Sequence, residues 1–213
     1  MAFGEVFDRL TDTMTNVQSL VAEFDAVLDK ASSARGSEIL QQVTNLFLRD
    51  AGSYSDDQST VFGLIINILI EKVERKTLIE LSGKFASASH APIDVIRRLS
   101  RDDDIAISGP ILESSNLLSD GHILEVASAK GKALLLAIAN RNPVNESITD
   151  VLINRAIPEV VHRLADNELA RFSEVGFVKL IGLAKNDNEL AASVSKRKDI
   201  PAELRPFLKL ALA

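Results

Sequence analysis

Basic residues are the groups in this chain best placed to do chemistry. Arg97, Arg98 and Arg101 fall in one helical stretch, Arg141 ends another, and Arg155, His162, Arg163, Arg171, Lys196, Arg197 and Lys198 follow. A guanidinium grips a carboxylate or phosphate through two parallel N–H bonds, so a row of arginines would receive an acidic peptide or a phosphate. Arg141 and Arg197 each precede a helix-starting residue, Asn145 and Pro201, by four positions. Stacked units would set them along one edge, and Arg97, Arg101, Arg141, Arg163 and Arg197 are the candidate partner-binding residues. Asp166 and Asn167 take the comparable place in the unit between and interrupt the row. Solvated charges at unit ends are the plainer alternative.

Other chemistries find less support. Asp102, Asp103 and Asp104 form the only acidic triplet, but a calcium loop also needs its glycine and final glutamate, so these aspartates read as caps for a helix starting near Ile105. His90, His122 and His162 lie 32 and 40 residues apart, without the close spacing of a metal pair. There is no cysteine, hence no disulfide, thiolate site or cysteine nucleophile. No Gly-x-Ser-x-Gly elbow, dinucleotide fingerprint or phosphate loop occurs. The residues therefore nominate no catalytic, metal or cofactor position, and the chain reads as a protein that is not an enzyme.

The elements that must position the arginines are helices. Five anchors, Pro92, Ser119, Asn145, Ser173 and Pro201, stand 27, 26, 28 and 28 residues apart. Each follows an apolar residue (Ala91, Leu118, Val144, Phe172, Ile200) and leads, seven residues on, to another (Leu99, Val126, Leu152, Leu180, Leu208). Serine and asparagine suit an N-cap, and the prolines suit the first turn. A fixed period of this length marks stacked helical hairpins, each burying the apolar flank its neighbour cannot. No strand pattern competes, and the fold class is all-α: an α-α superhelix of the right-handed type, a solenoid of short helical hairpins with an N-terminal helical cap. Earlier helices are expected over 38–49, 57–74 and 77–86, the second opened by a Ser55/Gln58 capping box. Pro110, next to Gly109, should bend the helix that holds it.

Three segments follow. Residues 1–34 form an amphipathic helix, a cap or a dimerisation element, whose apolar residues Phe3, Phe7, Leu10, Met14, Val17, Val21, Phe24 and Leu28 alternate steps of four and three. Residues 31–37 (ASSARGS) are the candidate linker. Residues 35–90 supply the first helices of the array, and 91–213 the repeats, the last incomplete. The apolar C-terminal end lacks a polar final cap, so it folds back, meets a partner or belongs to a longer protein. The net charge is −6, there is no Trp and one Tyr, Tyr54, which together disfavour nucleic acid. The longest apolar run, 61–70, is half of what a bilayer span requires. The N-terminus lacks an export signal, and a cytoplasmic location is expected.

The stretch 76–119, within it DDDIAISGPILESSNLLS at 102–119, and the later IANRNPVNESITDVLINR resemble a family of uncharacterised bacterial proteins. That family is a domain of unknown function made of short helical repeats akin to HEAT or leucine-rich-repeat-variant units, and the resemblance covers about 37–213, in keeping with a HEAT- or armadillo-like solenoid. It implies a fold and carries over no activity or site residue. The leading functional expectation is a non-enzymatic scaffold or regulatory module that binds another protein or peptide. The alternatives are a helical-repeat enzyme or nucleic-acid binder with a basic groove, and a structural element that forms a homodimer through the N-terminal heptad helix.

Overall fold

A computed structural model describes residues 32–211, and among these every regular element is helical. The expected N-terminal helix, with Phe3, Phe7, Leu10, Met14, Val17, Val21, Phe24 and Leu28, lies outside the described residues. The described chain divides into two compact units, one ending at Ser100 and including 115–117, the other comprising Arg101–Ser114 and the residues from Leu118 onward.

The first unit holds α1 (Ser33–Asp50), α2 (Asp56–Ile70), α3 (Arg75–Ala86) and α4 (Ile93–Ser100). Helix α1 starts inside the segment expected to be a linker, because the Ser32 hydroxyl accepts from the Arg35 N–H and starts the first turn. The expected boundary between 34 and 35 thus falls within a helix. The Ser55/Gln58 capping box opens α2 in both directions, with Gln58 N to Ser55 Oγ at 3.2 Å and Ser55 N to Gln58 Oε1 at 2.9 Å. Helix α1 packs on α2 and α3, and α2 packs on α4. Between them sits an aromatic cluster of Phe47, Phe62, Phe85 and Tyr54, with Phe47–Phe62 centroids 5.2 Å apart.

The second unit holds α5 (Ile105–Ser114), α6 (Asp120–Ala129), α7 (Lys132–Ala139), α8 (Glu146–Asn154), α9 (Pro158–Asp166), α10 (Glu174–Ala184), α11 (Asn188–Ser195) and α12 (Arg205–Ala211), the last preceded by a short 3-10 turn at Ala202–Leu204. Helices alternate between two rows. In one row α5 packs on α7, α7 on α9 and α9 on α11; in the other α6 packs on α8, α8 on α10 and α10 on α12. The apolar anchors explain the pairing. Leu118, Val144, Phe172 and Ile200 are buried, as are Val126, Leu152, Leu180 and Leu208 seven residues after each anchor.

Cap chemistry sets the start of each hairpin. Ser119 and Ser173 accept from the N–H groups of His122 and Gly176, at 3.3 and 2.9 Å. Asn145 occupies the cap position without capping; its amide donates to Asp120 Oδ2 at 2.6 Å and ties α8 to α6. The prolines lie one residue earlier than expected: Pro92 and Pro201 precede their helical turns, and their carbonyls accept from Val95 and Leu204. Asp104 Oδ1 accepts from Ala106 N at 2.9 Å, and Asp102 Oδ1 from Asp104 N at 2.8 Å, so two of the three aspartates open α5 as the sequence suggests. Asp103 instead pairs with Lys130 at 2.6 Å. Pro110 lies inside α5.

Candidate binding surface

A helix ends with four carbonyls that have no partner inside it, and these must find donors elsewhere. In the second unit several of these donors come from side chains that follow a later helix of the same row. The Arg141 guanidinium, just beyond α7, donates to the Leu112 carbonyl in the last turn of α5. The Asn167 amide, just beyond α9, donates to the carbonyls of Ala139 and Arg141 at 2.9 and 2.8 Å. Arg197, just beyond α11, reaches the carbonyls of Ala165, Asn167 and Ala170 at 3.2, 2.8 and 2.8 Å. In the other row Arg155, just beyond α8, donates to the carbonyls of Ala127 and Ser128 in the last turn of α6 and of Lys130 just past it. The C-terminal ends of α5, α6, α7 and α9 are thus each met by a side chain that follows a later helix.

This assigns the candidate arginines one by one. Arg141 is only 8 % exposed, and burial lowers its pKa from the usual value against a smaller raising effect of Asp120. The Arg197 side chain is 5 % exposed, pairs with Asp199 at 2.7 Å and lies 4.6 Å over the Phe172 ring. Neither presents its head to solvent, and in Arg197 the carbonyls and the Asp199 carboxylate engage all three guanidinium nitrogens. Asn167, expected to interrupt the arginine row, continues the same clamp with an amide. Arg97 lies 3.8 Å from Asp94, and Arg101 bonds Glu125 at 2.7 Å. Arg163 is exposed and lines a cleft of 390 Å³ together with Asn140, Asn142, Asp166, Asn167, Glu168 and Leu169.

A second cleft, of 260 Å³, contains Arg171, Lys196 and Lys198, but Asp166, Glu168 and Asp199 share its walls. Both clefts mix carboxylates with their cations, so neither offers a field of one sign. Among the described residues no three His, Cys, Asp or Glu side chains stand together as a metal site. His122 is buried, and His90 has Ser89 Oγ 3.2 Å from its ring. His162 meets Asp187 at 2.7 Å, and the Asp187 carboxyl is held below its usual range, chiefly by the Leu190 N–H and then by His162.

The distinctive surface lies on the outer side of α6, α8 and α10. Counted from the anchors Ser119, Asn145 and Ser173, the second, fifth and ninth residues share this side: Gly121, Leu124 and Ser128; Ser147, Asp150 and Asn154; Val175, Val178 and Gly182. Asp150, the one charge among them, accepts from Ser173 Oγ at 2.8 Å. Exposed helix faces are normally rich in charge. Here Val175 is 62 % and Val178 55 % exposed, and Phe207 on the adjoining α12 is 54 % exposed. Composition alone does not reveal this face, because valine is most often a buried residue.

No helix among the described residues is long and apolar enough to cross a membrane. Neither a curated protein nor a solved structure matches the chain. Residues 107–208, from within α5 to within α12, match the model of a bacterial family described as an uncharacterised protein conserved in bacteria, DUF2336.

Proposed function

We propose that this chain is a non-enzymatic, cytoplasmic helical-repeat module that binds another protein through the outer side of α6, α8 and α10. The repeated pairing within each row, with its period near 27 residues, supports reading the second unit as a HEAT-like solenoid. Such arrays present extended surfaces on which a partner can lie. The observation that carries the reading is the exposure of Val175 and Val178 at the centre of a charge-poor face. The mixed clefts speak against a basic nucleic-acid groove, since phosphate binding rests on uncompensated cations.

The test is site-specific photo-crosslinking in intact bacterial cells, with the probe at position 178 and a control at Ala192 on α11. A discrete crosslinked protein band from 178 that is absent from 192 supports the reading. No band from 178 above the control overturns it.

A further inference from the structure

The exposed arc of α10 has an order that a random surface would not need. Val178, Gly182 and Val175 occupy its middle. Lys179 stands on the edge toward α8, where its ammonium donates to Asn154 Oδ1. On the opposite edge Glu174 lies near the start of the helix and Lys185 just past its end, aligned with Val178 at steps of four and seven. Neither Glu174 nor Lys185 has an ion pair among the described residues, and both are exposed. Gly182 is open, since a Cβ built on it would meet nothing within 4 Å.

The apolar middle and the Glu174/Lys185 edge of this arrangement are self-complementary, while on the other edge Lys179, engaged by Asn154, faces its own counterpart. When a second α10 lies antiparallel on the first about a two-fold axis across the helices, the start of one helix faces the end of the other and each edge meets its own counterpart. Val178 then stands over the notch at Gly182 of the second copy. Glu174 meets Lys185 of the second copy, and the same contacts recur in the reverse sense, as an isologous interface demands. Phe207, on the α12 that packs against α10, extends the apolar contact.

We infer that α10 is a self-association face on which a second copy of this chain packs antiparallel, Val178 against Gly182 and Glu174 against Lys185. The inference rests on the binding reading above and names the partner of that same face. It differs from pairing through the N-terminal heptad stripe, which does not call on the residues of α10.

Sedimentation velocity of the full chain over a range of micromolar concentrations tests it. The expected result is a reversible monomer–dimer equilibrium that Val178→Asp weakens by tenfold or more, with the circular-dichroism melt unchanged because the site is exposed. Glu174→Lys and Lys185→Glu should each weaken the dimer, and the double exchange should restore it, since the swapped charges again face opposite signs. Because the chain has no cysteine, a mixture of Val178→Cys and Gly182→Cys copies should form a mixed disulfide faster than a mixture of Ala192→Cys and Gly182→Cys copies. A monomer at every concentration, or a dimer indifferent to Val178→Asp and the charge exchanges, overturns the inference. A monomer whose position 178 still crosslinks to a different protein in cells would sink this inference alone, whereas silence in both experiments would sink the binding reading as well.

Discussion

The two units bury similar kinds of apolar residue but are held together by different means. In the first, rings do the joining: Phe47 stacks on Tyr54 at 5.5 Å and meets Phe62 and Phe85 edge-on at 5.2 and 6.4 Å. In the second, the device is polar and recurs four times, a side chain following α7, α8, α9 or α11 bonding main-chain carbonyls at the end of an earlier helix. An aromatic cluster is a single solution to one local shape. The carbonyl clamp answers a need that every helix has at its end, so it can recur at each period with arginine or asparagine in the role. Arg98 makes a comparable bond to the Asn67 carbonyl at 2.9 Å in the first unit.

The contrast can be broken most forcefully at Phe47. Phe47→Ala should cost about 3–5 kcal/mol, since the ring is fully buried and three other rings lean on it; a loss below 1 kcal/mol in urea unfolding would mean that the cluster is dispensable. Arg197→Ala should cost about 1.5–3 kcal/mol by removing its bonds to the carbonyls of Ala165, Asn167 and Ala170, of which, among the described residues, only that of Asn167 keeps a second donor, the Ala170 N–H. Arg197→Lys should recover little of that, because an ammonium lacks the planar fork that spans them. A lysine variant as stable as the wild type would reduce the clamp to a charge effect.

Smaller effects sharpen the comparison. Thr44 on α1 is buried and its hydroxyl has no partner, so Thr44→Val should raise stability by about 1 kcal/mol, as expected of a unit held by apolar packing. Ala156 follows α8 with φ 50°, in the left-handed region that favours glycine, and Ala156→Gly should stabilise the second unit by about 0.5–1 kcal/mol in thermal unfolding. The smallest effect concerns acid. The Asp187 pKa is depressed on folding, so its charge stabilises the native state above the unfolded carboxylate range and that contribution is lost as the pH falls through the folded value. The stability gap between wild type and Asp187→Asn should be constant near neutrality and shrink below about pH 4; a gap that grows in acid would contradict the assignment.

Much of the helical plan was legible because caps and anchors are local chemistry. Ser55 with Gln58, Ser119, Ser173 and the aspartates before α5 act where short polar side chains meet the first turn of a helix. The start of α1 was not legible: Gly36 and its small neighbours resemble a break, yet Gly36 is buried, with the Lys72 carbonyl 3.5 Å from where a Cβ would sit. The fates of Arg141 and Arg197 were hidden for a different reason. A charged residue reads as surface, and what buries these two is a set of main-chain carbonyls some 27 to 32 residues earlier, which side-chain identity does not encode. Asn167 was misread as a gap for the same cause. A polar residue one or two positions after α7, α9 and α11, recurring near the period of the anchors, is the signal that would have found all three.

Because each clamp points backward along the chain, a hairpin leaving the ribosome is provisional. Its terminal carbonyls remain hydrated until the succeeding stretch of polypeptide has been synthesised and has swung its arginine or asparagine home. The second unit should therefore mature in order, every hairpin certified by the arrival of its successor, so that a translational pause just before Arg197 would leave α9 vulnerable to proteases while the earlier hairpins were already secure.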